Sequence, residues 1–338
     1  MLLLGSALTS TPASADPYAI FRSDNGGQSW IRSDAGMPAQ SRINAFGSAE
    51  GAFFAGTDSG IFWSRDDAHS WQPAQGAGST ARILCFAHLG RKVFAGTDSK
   101  GMLMSLDGGR SWVRNATFPP QKPRCLLSFH GRIYAGTDAG GVVSSGDDGQ
   151  TWIALAAGFP AGAQVFSMTE VEGILFAGLY NRGLIAWDGQ KQSWSQVRGV
   201  QPLALASAGG VLIAGHNPGG LYWSRDLGVT WSKGTPAVDT ANRLGLALAG
   251  DSGELLADAP IWEMASSGSM VFAGASSGIY LSDDLGQHWT RARKGLPPES
   301  PGIAFLVRRE LILAAAPIQG NKGERDGPAN GSQPFSSQ

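Results

Sequence analysis

Short apolar runs alternate with polar, glycine-rich turns along most of the chain, and one run keeps returning. It reads FFAGTDSG at 53–60, VFAGTDSK at 93–100, IYAGTDAG at 133–140, LFAGLYNR at 175–182, LIAGHNPG at 211–218 and VFAGASSG at 271–278. Each is a few residues long and closes on Ala-Gly, which predicts a buried strand whose backbone is approached closely. A second apolar strand precedes each one, such as Ile43 to Phe46 or Ile83 to Phe86.

Tryptophan sets the period. Trp30, Trp71, Trp112, Trp152, Trp194, Trp231 and Trp289 are separated by 41, 41, 40, 42, 37 and 58 residues. A period near 40 is that of a four-stranded propeller blade. The text before each tryptophan also repeats, clearest in SLDGGRSW (105–112), SGDDGQTW (145–152) and SRDLGVTW (224–231). SDNGGQSW, SRDDAHSW and SDDLGQHW are weaker copies, and WDGQKQSW at 187–194 keeps only its last two residues. In this S-x-D-x-G-x-[ST]-W pattern, the Asp box, aspartate is suited to accept backbone N–H bonds within the loop. Glycine two residues later supplies a positive φ. Tryptophan opens the next strand and packs back over the hairpin. The box therefore reads as a folding device, on the edge remote from the usual ligand face.

The order per blade is strand A, strand B ending in Ala-Gly, strand C, the box, then strand D with tryptophan. Six full units start near residues 41, 81, 123, 163, 201 and 260. Tyr18 to Ser33 supplies only C and D, and Gly302 to Pro317 only A and B. Together they complete a seventh blade and remove the open edges of the ring. The expectation is an all-β, seven-bladed β-propeller over 16–318, its closing blade shared by the N- and C-termini. The long gap contains 238–260, either an insertion or a remnant of an eighth blade. The Gly-, Ser- and Asn-rich tail, 319–338, reads as disordered.

Composition narrows the function classes. Charged residues are 16% of 338, the net charge is −1, and no basic face is evident, so nucleic acid is not an expected partner. Cys85 and Cys125 occupy equivalent strands of neighbouring repeats and read as small apolar residues; one bridge between them is open to an exported chain. No metal-ligand spacing or cofactor motif is present. Residues 1–15 read as a signal segment: Met1 to Leu8 is apolar, and Ala13-Ser14-Ala15 precedes Asp16 as an A-x-A cleavage site. The positively charged start is missing. The expected location is periplasmic or extracellular, and no later run reaches the ~18 apolar residues of a membrane span.

Seven Asp-box blades resemble the BNR-repeat superfamily, which includes sialidases, xyloglucanase-type glycoside hydrolases, the sortilin ectodomain and the photosystem II assembly-factor family. The single-propeller architecture resembles the assembly-factor type and exported bacterial repeat proteins most. The resemblance implies a fold more than an activity. A sialidase implies three arginines, a tyrosine nucleophile with a glutamate base, an aspartate acid and an early Arg-Ile-Pro. Arg42-Ile43-Asn44 and Arg82-Ile83-Leu84 match the last only in part, and of the tyrosines only Tyr180 falls on a loop of the expected ligand face. Glu170 and Glu172 sit at the other end of their hairpin. A xyloglucanase implies two carboxylates in a cleft between two propellers, and this chain has one.

The candidate surface is therefore the face formed by the D–A and B–C loops. In blades 2 to 4, counting the shared blade as blade 1, Arg42, Arg82 and Arg124 are each read as opening strand A, and Asp58, Asp98 and Asp138 as closing strand B. Such pairs tighten the ring through bidentate contacts, or present a patch to an acidic ligand. Blades 5 and 6 depart from the pattern with Tyr180, Asn181, Arg182, His216 and Asn217, and departures from a repeat are where a site specialises. Two functions stand: a non-catalytic exported scaffold that binds a protein or glycan on this face, including a membrane-associated partner, and a glycoside hydrolase with an unusual acidic pair.

Overall fold

A computed structural model describes residues 18–318, apart from 40, 78–79, 100, 217–218, 237–258, 298–300, 303 and 309. Residues 1–15, read above as a signal segment, the tail, Asn217 and nearly all of 238–260 lie outside the described residues. What is described is all-β and folds into seven sheets, antiparallel apart from two short linker strands, the blades of a propeller.

Blade 1 is built from both ends of the chain, as the strand count predicts. Ala304–Arg308 and Leu311–Pro317 form strands A and B, Tyr18–Ser23 strand C and Ile31–Arg32 strand D. Tyr18 pairs with Pro317, Ile20 with Ala315 and Ser23 with Ile312. The A strands of blades 2 to 7 are Ile43–Ala49, Ile83–Leu89, Pro123–Phe129, Val165–Val171, Pro202–Ala208 and Ile261–Ser267. Two linkers extend neighbouring sheets: Gln75–Gly76 pairs parallel to blade 3's outer strand, and Thr235–Pro236 to blade 7's.

The Ala-Gly ending of strand B has a packing cause. A Cβ on Gly56 would lie 2.6 Å from Ile83, and one on Gly215 2.5 Å from Ile261, side chains that open the next blade's A strand. Glycine thus lets each blade seat against its successor, and the apolar clusters run across these seams.

The Asp box closes as its chemistry predicts. Ser105 Oγ donates to Asp107 (2.8 Å) and accepts from Gly109 N (2.8 Å), while Asp107 also accepts from Ser111 N and Ser111 Oγ at 3.0 and 2.6 Å. Trp112 Nε1 donates to Gly109 O at 3.0 Å. The turn needs two successive left-handed residues, Gly108 (φ 72°) and Gly109 (φ 89°). Where the motif is weak, Asp67 and Ala68 adopt the same conformation at 55° and 64°.

Every A strand of blades 2 to 7 carries a β-bulge at its second residue: Asn44, Leu84, Arg124, Phe166, Leu203 and Trp262 drop out of the pairing. Bulges re-aim side chains at barrel rims. Here the bulged residues and the two that follow them line the central channel.

Candidate binding site on the loop face

The bulge register corrects one reading of the sequence. Arg42 and Arg82 directly precede their A strands, but Arg124 is the second residue of its strand, inside the bulge. The equivalent of Arg42 and Arg82 is Lys122. Asp58, Asp98 and Asp138 donate their backbone N–H to the carbonyls of Arg42, Arg82 and Lys122 at 3.2, 3.0 and 3.2 Å. Each such pair lies sixteen residues apart in the chain, whereas Arg124 and Asp138 are fourteen apart. Pro123 stands where Ile43 and Ile83 stand in their blades, pairing with Thr137 as they pair with Thr57 and Thr97.

These residues form a cross-blade line of charge. Arg82 Nε lies 3.0 Å from Asp58 of blade 2 and its Nη1 3.9 Å from Asp98 of its own blade. Asp98 in turn is bonded by Lys122 of blade 4. Asn44 Nδ2 donates to Asp58 at 2.8 Å. Arg42 lies over the ring of Tyr18, 5.8 Å from its centroid, and joins blade 2 to the closing blade. The Lys122 ammonium holds the Asp98 carboxyl below the usual carboxylate range, with Arg82 and Arg124 adding to the effect. Arg82 and Asp58 are both 44% exposed, and such surface pairs contribute only about 0–1 kcal/mol each to stability.

A groove of about 490 Å³ lies beside this line. Its walls are the B–C loops of blades 3 and 4, with Asp98 and Asp138, and the linker between the blades, with Phe118, Pro119, Pro120 and Lys122. The linker is held firmly. Asn115 Oδ1 accepts from the backbone N–H of Thr117 and Phe118 at 3.1 and 3.0 Å, and its Nδ2 donates to Gly149 O at 2.9 Å. Phe118 meets the edge of Trp152 at 4.9 Å and 86°. Gln121 Oε1 is buried there with no hydrogen-bond partner among the described residues.

The other predicted residues lie apart from that groove. Tyr180 stacks on Phe166 (4.9 Å, 23°), and the Arg124 guanidinium covers the same phenylalanine at 4.9 Å. Asn181 takes the left-handed position of its turn (φ 53°), and Arg182 Nη1 bonds Ala161 O at 3.1 Å. His216 packs against Tyr222 at 5.4 Å, and burial lowers its pKa, so it is neutral at pH 7. Thus the structure joins Asp58, Arg82 and Asp98, brings Asp138 to their groove, places Arg124 with Tyr180, and leaves Arg182 and His216 in separate local contacts.

The channel holds groups that the sequence reading passed over. Behind the bulge runs a tier of small residues facing the Ala-Gly glycines: Ala45, Cys85, Cys125, Ser167 and Ala204, with Ala304 of the closing blade facing Ala315 instead. Glu263 is the seventh member. Its carboxyl is pushed up to about 8 by desolvation. Both thiols are free and half-buried beside the channel, and Cys125 packs against the apolar cluster of blades 4 and 5. Burial pushes Cys125 up to about 12 and Cys85 well above its ordinary value.

No family model matches the chain, and no curated protein matches its sequence. Its fold is similar to solved structures of known propellers. YCF48 bound to D1 peptide is 16% identical with a TM-score of 0.62, over 90% of this chain and 98% of that one. The extracellular domain of the one-component system BT4673 from B. thetaiotaomicron is 17% identical with a TM-score of 0.58. That match covers 80% of this chain and 39% of the other. The GH74 xyloglucanase from Xanthomonas campestris is 17% identical with a TM-score of 0.59, over 89% of this chain and 56% of the enzyme. The likeness to these structures is one of fold.

Proposed function

We propose that the protein is an exported, non-catalytic propeller that binds a segment of another protein along the loop face of blades 2 to 4. The observation that carries this reading is the groove between blades 3 and 4, fixed by Asn115 and Trp152 and lined by two prolines beside the Asp58–Arg82–Asp98–Lys122 line. A rigid apolar wall with alternating charges suits an extended peptide: the wall buries its side chains and the charges fix its direction. Two similar propellers agree in kind, one bound to a peptide and one an extracellular domain. The leader-like residues 1–15 support export.

The hydrolase reading has weaker support. Glycosidic acid catalysis needs a carboxyl kept protonated, and Asp98 is held in the opposite direction by Lys122. Glu263 is raised, but among the described residues no second carboxylate lines its channel. A grid of sialosides and β-glucans incubated with the purified protein tests this directly; turnover of any member overturns the non-catalytic assignment. For binding, a peptide array and a glycan array probed in parallel should show peptide capture that falls with Arg82→Glu and Lys122→Glu. Capture of glycans alone, or peptide binding indifferent to both variants, refutes the peptide reading.

A further inference from the structure

The closing blade carries an exception to the Asp box. Asp66, Asp107, Asp147 and Asp226 each accept from the hydroxyl four residues on, at 2.5, 2.6, 2.6 and 2.6 Å, and Asp284 meets His288 in the same place. Blade 1 has Asn25 at this position. Its Oδ1 accepts from Ser23 Oγ and Ser29 N at 2.9 and 3.0 Å, as the carboxylates do. Its Nδ2, however, donates to Ser29 Oγ at 2.8 Å, reversing the remaining bond. Asn25 is exposed, and the residue after it is Gly26, in the left-handed conformation (φ 68°). Asn-Gly occurs twice in the chain, here and at Asn330-Gly331, which lies outside the described residues. This box sits on the seam where the ring closes. Trp30 meets Phe272 of blade 7 edge-on at 6.5 Å and 86°, its Nε1 donates to Gly27 O at 3.0 Å, and its N–H donates to Lys294 O at 2.9 Å.

We infer that Asn25-Gly26 is a site of spontaneous deamidation, whose α-aspartyl product completes the closing blade's box and whose β-aspartyl product breaks it. The backbone nitrogen of Gly26 gives up its proton and attacks Cγ of Asn25. The Cγ–Nδ2 bond breaks, and ammonia leaves with that proton. One water then opens the five-membered succinimide at either carbonyl. Glycine favours the first step, because no side chain shields its nitrogen. Ring closure draws Cγ back onto Gly26, whereas the box holds Oδ1 and Nδ2 forward on Ser29. The reaction therefore runs when the box opens, and local opening requires less free energy than global unfolding.

The two products act in opposite directions. An α-aspartate puts a carboxylate where the other boxes have one, and the Ser29 hydroxyl need only turn to donate to it. Hydrogen bonds to a charged acceptor are the stronger kind. The neighbouring Asp24 does not forbid the new charge: blade 7 already places Asp283 beside Asp284 at the same two positions, and Arg22 lies 2.8 Å from Asp24. A β-aspartate instead inserts a methylene into the backbone and leaves its carboxylate directly on Cα. That displaces Gly27, whose N–H bonds Ser23 Oγ at 2.9 Å and whose carbonyl holds Trp30.

The test is ageing of the purified full chain at pH 8, folded and in urea, followed by trypsin and mass spectrometry. Arg22 and Arg32 bound the tryptic peptide Ser23–Arg32, which contains the site. Its amide-to-acid mass gain measures conversion, and labelling by an isoaspartyl methyltransferase separates the β product from the α. Both products should form in the folded chain, and conversion should be about tenfold faster or more in urea. Ser29→Ala, which removes the acceptor of Nδ2, should speed conversion of the folded chain. Asn25→Asp should raise the urea midpoint at pH 7, and β-enriched chains separated by anion exchange should unfold at lower urea than fresh protein. The inference is overturned if the peptide converts in urea but never in the folded chain, or if the two rates are equal. It is also overturned if Ser29→Ala leaves the folded rate unchanged, if Asn25→Asp lowers the midpoint, or if β-enriched chains are as stable as fresh ones.

Discussion

Replacing Gly109 by alanine should damage the seam between blades 2 and 3 far more than its place in an exposed turn suggests. The new Cβ would lie 1.9 Å from Cε1 of Phe54, a fully buried ring that meets Trp112 edge-on at 6.1 Å. The phenylalanine cannot swing away, since Phe86 packs on it at 5.9 Å. Two costs add. A left-handed conformation costs a residue with a Cβ about 1–2 kcal/mol, and overpacking a full core costs about 1–3 kcal/mol. Gly109→Ala should therefore lose about 2–5 kcal/mol. Gly108→Ala is the internal control, because its φ is also positive but its Cβ meets only the flexible end of Arg65, at 3.2 Å. It should lose only the first part. Blade 2 shows the remedy: Ala68 occupies the equivalent of Gly109, and Leu313 in the same apolar cluster stands where Phe54 stands. In a Phe54→Leu background, Gly109→Ala should accordingly cost little more than Gly108→Ala. Urea denaturation of the four variants measures the coupling. Equal losses for Gly108→Ala and Gly109→Ala, or no relief from Phe54→Leu, would refute the steric account.

Other expectations follow from the same geometry. Asp147 and Asp226 are held at about 2, each chiefly by the hydroxyl four residues later, Thr151 and Thr230. These folded values lie below the ordinary 3.8, so their stabilisation is complete above about pH 4 and lost as pH falls towards 2. Asp226→Ala should lower the melting midpoint at pH 7, flatten that acid limb, and leave peptide binding unaltered. Trp152→Ala should cost both stability and binding, because its ring supports Phe118 in the groove. Glu263 titrates the other way: raised from 4.5 to about 8, it binds more protons folded than unfolded, so stability declines between those pH values. Thermal melts from pH 5 to 9 should show that decline in the wild type and less of it in Glu263→Gln. Charge reversal at Arg82 should weaken an acidic peptide more than reversal at Arg291, and the difference should shrink as salt screens it. Equal losses at both positions would leave the line of charge a purely structural feature.

The architecture was legible because a propeller writes its contacts periodically. Box, Ala-Gly strand and tryptophan each recur where the same packing problem recurs, and the half-blades at Tyr18–Ser33 and Gly302–Pro317 could only complete each other. The site was legible in part. Arg82, Asp58 and Asp98 were found from the repeat, but Arg124 was taken for Lys122's place because residue type was followed instead of the sixteen-residue spacing to Asp138. A bulge that adds one residue to a strand has no signature in residue type, so the channel tier stayed hidden. Glu263 is conspicuous only when aligned with Ala45, Cys85 and Ser167. The two left-handed residues per box were half visible, since glycine marks one of them and Asp148, Leu227 or Leu285 fills the other.

The shared blade also fixes an order of events at the ribosome. Tyr18 pairs across the ladder with Pro317, 299 residues later. At ~5–20 residues per second, synthesis of that interval takes roughly 15–60 s. Six blades can assemble one on the next while Ala19, Ile20 and Phe21, all buried in the finished ring, remain without their neighbouring strand. The first strand made is thus a bare edge until nearly the last is made, and a chain halted before residue 311 would carry that edge permanently, ready to pair with another molecule.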